Sequence, residues 1–219
     1  MPQRERSLAG VVRAAEEVLR KNRVAHVFVG AISVIVFGEP RTTRDVDVLA
    51  RIPEEKAGRL VRDFRRRGFF ASEFDLSAAI REHAHCSIED RRGPLRIDLA
   101  PAADSTAERA LRTSVGVRWK GITIPVSAPE HTVVMKLKFG SSQDLEDAAG
   151  ILAGQWDQLD FAGMRAFAEN QRVETSLERL IRRVKAARTV SVAAAPSAGT
   201  RSSAGRRRKR GRRRTIRGR

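Results

Sequence analysis

The chain has 219 residues and a formal net charge of +17, with 41% hydrophobic and 32% charged residues. That length suits one domain with a helical appendage and a core that needs no disulfides. The single cysteine, Cys86, excludes an intrachain disulfide and a multi-cysteine zinc site. The most apolar run, Val27 to Gly38, is too short for the ~20 residues of a membrane helix.

The first twenty residues, MPQRERSLAGVVRAAEEVLR, space their apolar side chains as a helix and interrupt them with Glu16 and Glu17, unlike a signal peptide. The expectation is a cytoplasmic protein with no membrane partner. Residues 196–219 carry eleven of the cations and no acid, which leaves +6 on residues 1–195. The basic excess therefore belongs mostly to the end of the chain.

Leu8, Val11, Val12, Ala15, Val18 and Leu19 predict an amphipathic helix ending near Lys21 and Asn22. Val24 to Val29 is β-branched and apolar, as a buried strand is. Ala31 to Phe37 reads as a short helix closed by Gly38. Asp45 to Leu49 alternates like a strand. Pro53 to Arg67 opens on Pro-Glu-Glu and stops at Gly68, the signals of a helix.

Phe69 to Phe74 reads as a strand and residues 76–82 as a short helix. Ala84 to Ile88 with Leu95 to Leu99 makes a hairpin, and Thr106 to Thr113 a helix. Val115 to Trp119 with Ile122 to Val126 makes a second hairpin around Lys120-Gly121. Helices follow at Pro129–Phe139, Ser142–Leu152, Phe161–Glu169 and Val173–Ala187. This order predicts an α/β (α+β) catalytic module over 1–128, a helical segment over 129–188 and a disordered Arg-rich tail over 189–219.

Asp45-Val46-Asp47 is the feature richest in chemistry. On a strand, residues i and i+2 share a face, so both carboxylates project together while Val46 and Val48 face the core. Adjacent carboxylates repel unless a cation or proton relieves them. Mg²⁺ or Mn²⁺ is a natural partner. A lone Asp-x-Asp is more often a solvated strand end. Ile97-Asp98-Leu99 adds a third carboxylate inside an apolar strand. Three acids from two strands can hold two metal ions for phosphoryl or nucleotidyl transfer; equally, Asp98 can meet one of the many arginines. Val29-Gly30-Ala31 turns a strand into a helix, where free N–H groups suit a phosphate, although many ordinary turns look the same. His83 and His85 would share a strand face beside Cys86, a weak metal candidate.

The run Val29-Gly30-Ala31, thirteen residues, Asp45-Val46-Asp47 and later Ile97-Asp98-Leu99 resembles the DNA polymerase β-type nucleotidyltransferase superfamily. The text GAISVIVFGEPRTTRDVDVLA is similar to its abortive-infection and toxin-type members, with Phe37-Gly38, Arg41, Thr43, Asp45 and Asp47 in the motif positions. In the helical part, Lys136 followed by Asp144 and Asp147 resembles the family's Lys helix and Asp-x-x-Asp.

The resemblance implies a nucleotidyltransferase fold with a short, mixed, twisted sheet. It implies an NTP substrate, with Asp45, Asp47 and Asp98 at the metal ions. Gly30, Ala31, Thr43, Lys136 and Asp144 would bind the nucleotide. It also implies a tRNA end or protein hydroxyl as acceptor, and a cognate antitoxin as partner. The chain departs from the pattern at Ala31, where Gly or Ser is usual, and at Gly140–Gln143, where an arginine is often found. Two other readings stay open: a degenerate binding protein such as an antitoxin, and an RNA- or DNA-binding protein acting through the basic tail, whose phosphate contacts would be salt-sensitive and unspecific. A small-molecule acceptor, such as an aminoglycoside, is a lesser enzyme alternative.

Overall fold

The computed structural model describes residues 4–194. Helix α1 spans Leu8–Lys21; the Ser7 hydroxyl caps it by accepting from the Gly10 N–H, and Arg20 and Lys21 sit at the negative end of its dipole. Strand β1 (Ala25–Phe28) leads into α2 (Gly30–Phe37), and β2 covers Asp45–Arg51. A 3₁₀ turn at Glu54–Lys56 opens α3 (Ala57–Arg66).

Strand β3 is only Phe69–Phe70, shorter than the Phe69–Phe74 that the apolar run suggests. The Ser72 side chain accepts from the Asp75 N–H and starts α4 at once (Glu73–Glu82). A cap thus overrides an apolar pattern. Strands β4 (Cys86–Asp90) and β5 (Arg96–Pro101) form the first hairpin, α5 (Ser105–Arg112) follows, and β6 (Val115–Trp119) with β7 (Ile122–Val126) forms the second. The rest is helical: α6 (Pro129–Phe139), α7 (Ser142–Gln155), α8 (Phe161–Asn170) and α9 (Glu174–Ala194).

Helix α9 carries the last helix past the tail boundary expected at 189; the remainder of the predicted tail, 195–219, lies outside the described residues. Among the described residues no helix is long and apolar enough to cross a membrane.

The seven strands form one mixed sheet in the order β3-β4-β5-β2-β1-β7-β6. Its centre fixes the site. Strand β2 runs antiparallel to β1 and parallel to β5, with Asp45 opposite Arg96 and Asp47 opposite Asp98. Along β2, Val46, Val48 and Ala50 are buried beneath α1, α3 and α4, while Asp45, Asp47 and Leu49 face the other way. Period-2 alternation therefore separates core from chemistry on one strand.

A second apolar cluster joins α6, α7, α8 and α9 and takes in Val34 of α2. Phe37 packs against both clusters, so α2 is the hinge point of the packing.

Phe64 on α3 is fully buried and meets Phe69 edge-on at 5.9 Å. Phe64→Ala is expected to lower unfolding free energy by about 3–5 kcal/mol, the usual cost of emptying an aromatic site in a core. Urea unfolding measures it, and a loss under 1 kcal/mol would show that α3 does not anchor this face.

Candidate active site

The face of β2 and β5 that carries Asp45, Asp47 and Asp98 forms one wall of a cavity of about 610 Å³. The N-terminus of α2 and one side of α6 form the others, so Gly30, Ala31, Thr43 and Lys136 line the same space. The structure thus brings together every sequence-predicted site residue except Asp144, which lies behind Lys136.

Neighbouring strands are about 4.8 Å apart, and register partners on one face have no side chain between them. Asp47 and Asp98 are such partners. The Asp47 carboxylate makes no hydrogen bond among the described residues. Burial, then Asp98 and Asp45, pushes its carboxyl above the usual range, against a smaller opposite pull from Lys136 and Arg96. Asp98 is better served: it accepts from Ser87 Oγ at 2.5 Å and from Arg96 Nε at 3.2 Å. Arg96 Nη2 also lies 2.9 Å from Asp45 Oδ1. The approach is an ion pair without hydrogen-bond geometry, and Asp45 Oδ1 is otherwise enclosed with no partner. The Asp98 hydrogen bond and its charge, then that of Asp45, raise the Arg96 guanidinium further.

Gly30 explains how the turn comes so close. Its φ is +56°, and a Cβ there would lie 2.3 Å from Asp47 Oδ2. Any side chain there would have to displace the Asp47 carboxylate and would sit in the left-handed region that favours glycine. The Val29 N–H donates to the Asp47 carbonyl at 3.0 Å, which pins the turn to β2. No side chain caps α2, so its first N–H groups have no capping partner beside the carboxylates. Thr43 lines the cavity, but its hydroxyl is engaged by the backbone of Asp45, donating to the carbonyl at 3.1 Å and accepting from the N–H at 3.2 Å.

Lys136 is buried on α6. Its Nζ lies 2.7 Å from Asp144 and 2.9 Å from Asp147. Asp144 is also the N3 residue of a capping box with Ser141 at the start of α7. Burial pushes the Asp144 carboxyl up, but its bonds to Lys136 and Ser141 outweigh this and hold it below the usual range. Asp147 receives Arg41 through two bonds, of 3.0 and 3.1 Å, and Gln143 through one of 3.2 Å. The guanidinium at Asp147 thus comes from Arg41, 106 residues away in sequence.

The three carboxylates are hard oxygen donors on one face, one without a hydrogen bond and one with an enclosed unpartnered oxygen. That donor set fits a divalent cation such as Mg²⁺ or Mn²⁺. Two of the three now face Arg96, and among the described residues no three His, Cys, Asp or Glu side chains are gathered closely enough to hold a metal. Arg96 is thus the cation paired with Asp45 and Asp98 in this arrangement.

The His83–His85–Cys86 candidate dissolves. His83 ends α4 in the left-handed conformation rather than sharing a strand with His85. Cys86 is enclosed, and burial pushes its thiol up to about 11.

No family model matches the sequence, and no curated protein matches it. Solved structures do resemble it in shape. An antigenic nucleotidyltransferase-like protein from Paracoccidioides brasiliensis aligns over 78% of this chain and 90% of its own, at 16% identity and a TM-score of 0.50. The fold is that of a nucleotidyltransferase. The antibiotic-resistance factor ANT(2'')-Ia, in its complex with adenylyl-2''-tobramycin, aligns over 75% of this chain and 97% of its own at 12% identity, with a TM-score of 0.49.

Two site residues had no distinct signal in the sequence. Arg96 looks like one of several hairpin arginines; only the parallel register of β5 with β2 brings it to Asp45. His131 is a single histidine on an apolar helix, and no spacing marks it.

The raised Asp47 sets a pH dependence. A carboxyl whose folded pKa lies above its unfolded value favours folding in its protonated form. Its penalty grows as pH climbs from the ordinary carboxylate range through the raised value. Asp47→Asn removes that penalty, so the variant gains stability over wild type as pH rises from 4 to 7. Denaturant midpoints across that range test it; a pH-independent difference would refute the raised Asp47 carboxyl.

Proposed function

We propose that this chain is a metal-dependent nucleotidyltransferase that moves a nucleoside monophosphate from an NTP to an acceptor hydroxyl. One observation carries the reading: three carboxylates from two parallel strands share a cavity wall with an uncapped helix N-terminus and a buried lysine. Such a site meets a polyphosphate with cationic and N–H groups, and a hydroxyl with a carboxylate.

Asp45, Asp47 and Asp98 would hold Mg²⁺ or Mn²⁺, which supplies charge neutralisation at the phosphates and at the attacking oxygen. Arg96 must then turn away from Asp45. The N–H groups of Gly30 and Ala31 bind phosphate oxygens at the positive end of α2. Ala31 contributes only its N–H, whereas a serine would add a hydroxyl. Lys136, held in place by Asp144 and Asp147, offsets charge on the departing pyrophosphate. Asp98 orients the acceptor hydroxyl and takes its proton as the new O–P bond forms and the bond to pyrophosphate breaks.

The acceptor we propose is a tRNA 3' end or a protein side chain, in a toxin–antitoxin or phage-defence setting with a cognate antitoxin. This finer reading draws on the local sequence around Phe37-Gly38, Arg41, Thr43, Asp45 and Asp47.

The test is incubation of the purified protein with Mg²⁺ or Mn²⁺, each α-³²P-labelled NTP and total cellular RNA, beside an Asp45→Ala/Asp47→Ala control. Label is expected in RNA or in the protein itself and at least 100-fold less in the control. No label with any NTP in either metal sinks the RNA- and self-modifying versions.

A second reading, nucleic-acid binding without transfer, is favoured by the basic side chains Lys21, Arg59, Arg62 and Arg66 that line a groove between α1 and α3, together with the eleven cations of residues 196–219. Asp63 lies among the former and pairs with Lys21 at 2.7 Å. Removing residues 195–219 separates the two. An enzyme keeps its label transfer and loses only salt-sensitive RNA retention; a tail-driven binder loses its affinity and has no transfer to keep.

A further inference from the structure

The cavity does not end at the carboxylates. It continues along α6 to His131, five residues before Lys136 and so about 7.5 Å along the helix axis from it. Leu49, Ala100, Ala107 and Met135 add apolar surface to the same cavity.

His131 is 95% buried and stacks on Phe167 of α8, with ring centres 4.9 Å apart and planes 20° apart. Arg109 lies over the same Phe167 ring at 4.5 Å. His131 Nδ1 is enclosed and has no hydrogen-bond partner among the described residues. Arg109 Nε is likewise buried without a partner, whereas the polar groups of Asp104 and Thr106 are engaged. The Asp104 carboxylate accepts from the Ala107 N–H at 2.7 Å, and Thr106 Oγ1 accepts from Gln171 at 3.3 Å.

Burial, and after it Arg109, pushes the imidazole down to about 4, so the ring is neutral at pH 7 and offers one donor and one acceptor. A flat, uncharged, unpaired ring in an apolar pocket selects for a group that is itself flat, uncharged and edged with hydrogen-bonding atoms. Arg109, the cation nearest the ring, is stacked on Phe167 and does not line the cavity.

We propose that this end of the cavity is the nucleobase subsite, and that His131 determines which base is accepted by hydrogen bonding to its edge. The inference rests on the nucleotidyl-transfer reading above. The spacing along α6 supports it: phosphates at Lys136 leave the nucleoside to extend toward His131. Unsatisfied polar groups in such a pocket discriminate strongly, because a ligand that leaves them unpaired loses the interaction and keeps the desolvation.

The test is equilibrium binding by calorimetry, without acceptor, of ATP, GTP, CTP, UTP and inorganic tripolyphosphate in Mg²⁺. The proteins are the full-length wild type, His131→Phe and His131→Asn. Phenylalanine keeps the ring on Phe167 and removes both nitrogens; asparagine keeps a donor and an acceptor. Wild type is expected to bind one NTP at least tenfold more tightly than tripolyphosphate. His131→Phe is expected to lose most of that margin and bind tripolyphosphate as wild type does. His131→Asn, which also serves if the Phe variant does not fold, is expected to change the rank order of the four bases.

Variants that bind all four NTPs as wild type does would overturn the subsite while leaving nucleotidyl transfer intact. Wild type that binds NTPs no better than tripolyphosphate would do the same. Failure of every NTP and of tripolyphosphate to bind would overturn the transfer reading and the subsite with it.

Discussion

The parallel pairing of β2 with β5 is the constraint on which the site depends. It puts Asp47 opposite Asp98 and Asp45 opposite Arg96. Three acids on adjacent strands repel one another, and the repulsion is relieved locally rather than removed. Arg96 reaches Asp45 and Asp98, Ser87 donates to Asp98, and Asp47 stays without a hydrogen bond. A fold that gathers like charges in a half-buried cavity stores an unfavourable interaction where a cation can discharge it. The opposite face of β2 repays nothing electrostatically; Val46, Val48 and Ala50 hold the strand in the core, and the carboxylates follow from the pleat.

The second support is the network behind Lys136. A buried lysine needs partners, and this one has two carboxylates, each further bonded by other groups. Asp144 is held by its own helix cap, Asp147 by Arg41 from the segment before β2. The lysine is thereby fixed in direction at the cavity wall, and the helical part is tied to the sheet part. The packing of Phe37 and Val34 against the α6–α9 cluster adds an apolar tie at the same place. The position of Lys136 therefore depends on contacts spread over three segments of sequence.

Most of the elements were legible from period and punctuation. Helix α1 followed from its apolar stripe, β2 from its alternation, and both hairpins from their turn residues. Failures came where a local polar contact outweighed an apolar run, as at Ser72, or where helical propensity carried α9 past the expected tail boundary. The Asp-x-Asp face was legible because a strand has a fixed period of two. Its cation was not, since Arg96 is distant in sequence from Asp45 and only strand register joins them.

The sequence by itself determined which residue types stand at i and i+2 on β2, that a glycine follows β1, and that a lysine precedes an Asp-x-x-Asp on the following helix. Those facts are local, set by backbone period, turn chemistry and capping. Only the tertiary structure decided that Gly30 abuts Asp47, that Arg96 rather than open solvent meets Asp45, that Arg41 secures Asp147, and that His131 sits unpaired at the far end of the same cavity. These are contacts between segments tens of residues apart. They arise when β5 inserts beside β2 and α6 closes the wall, and no spacing along the chain encodes them.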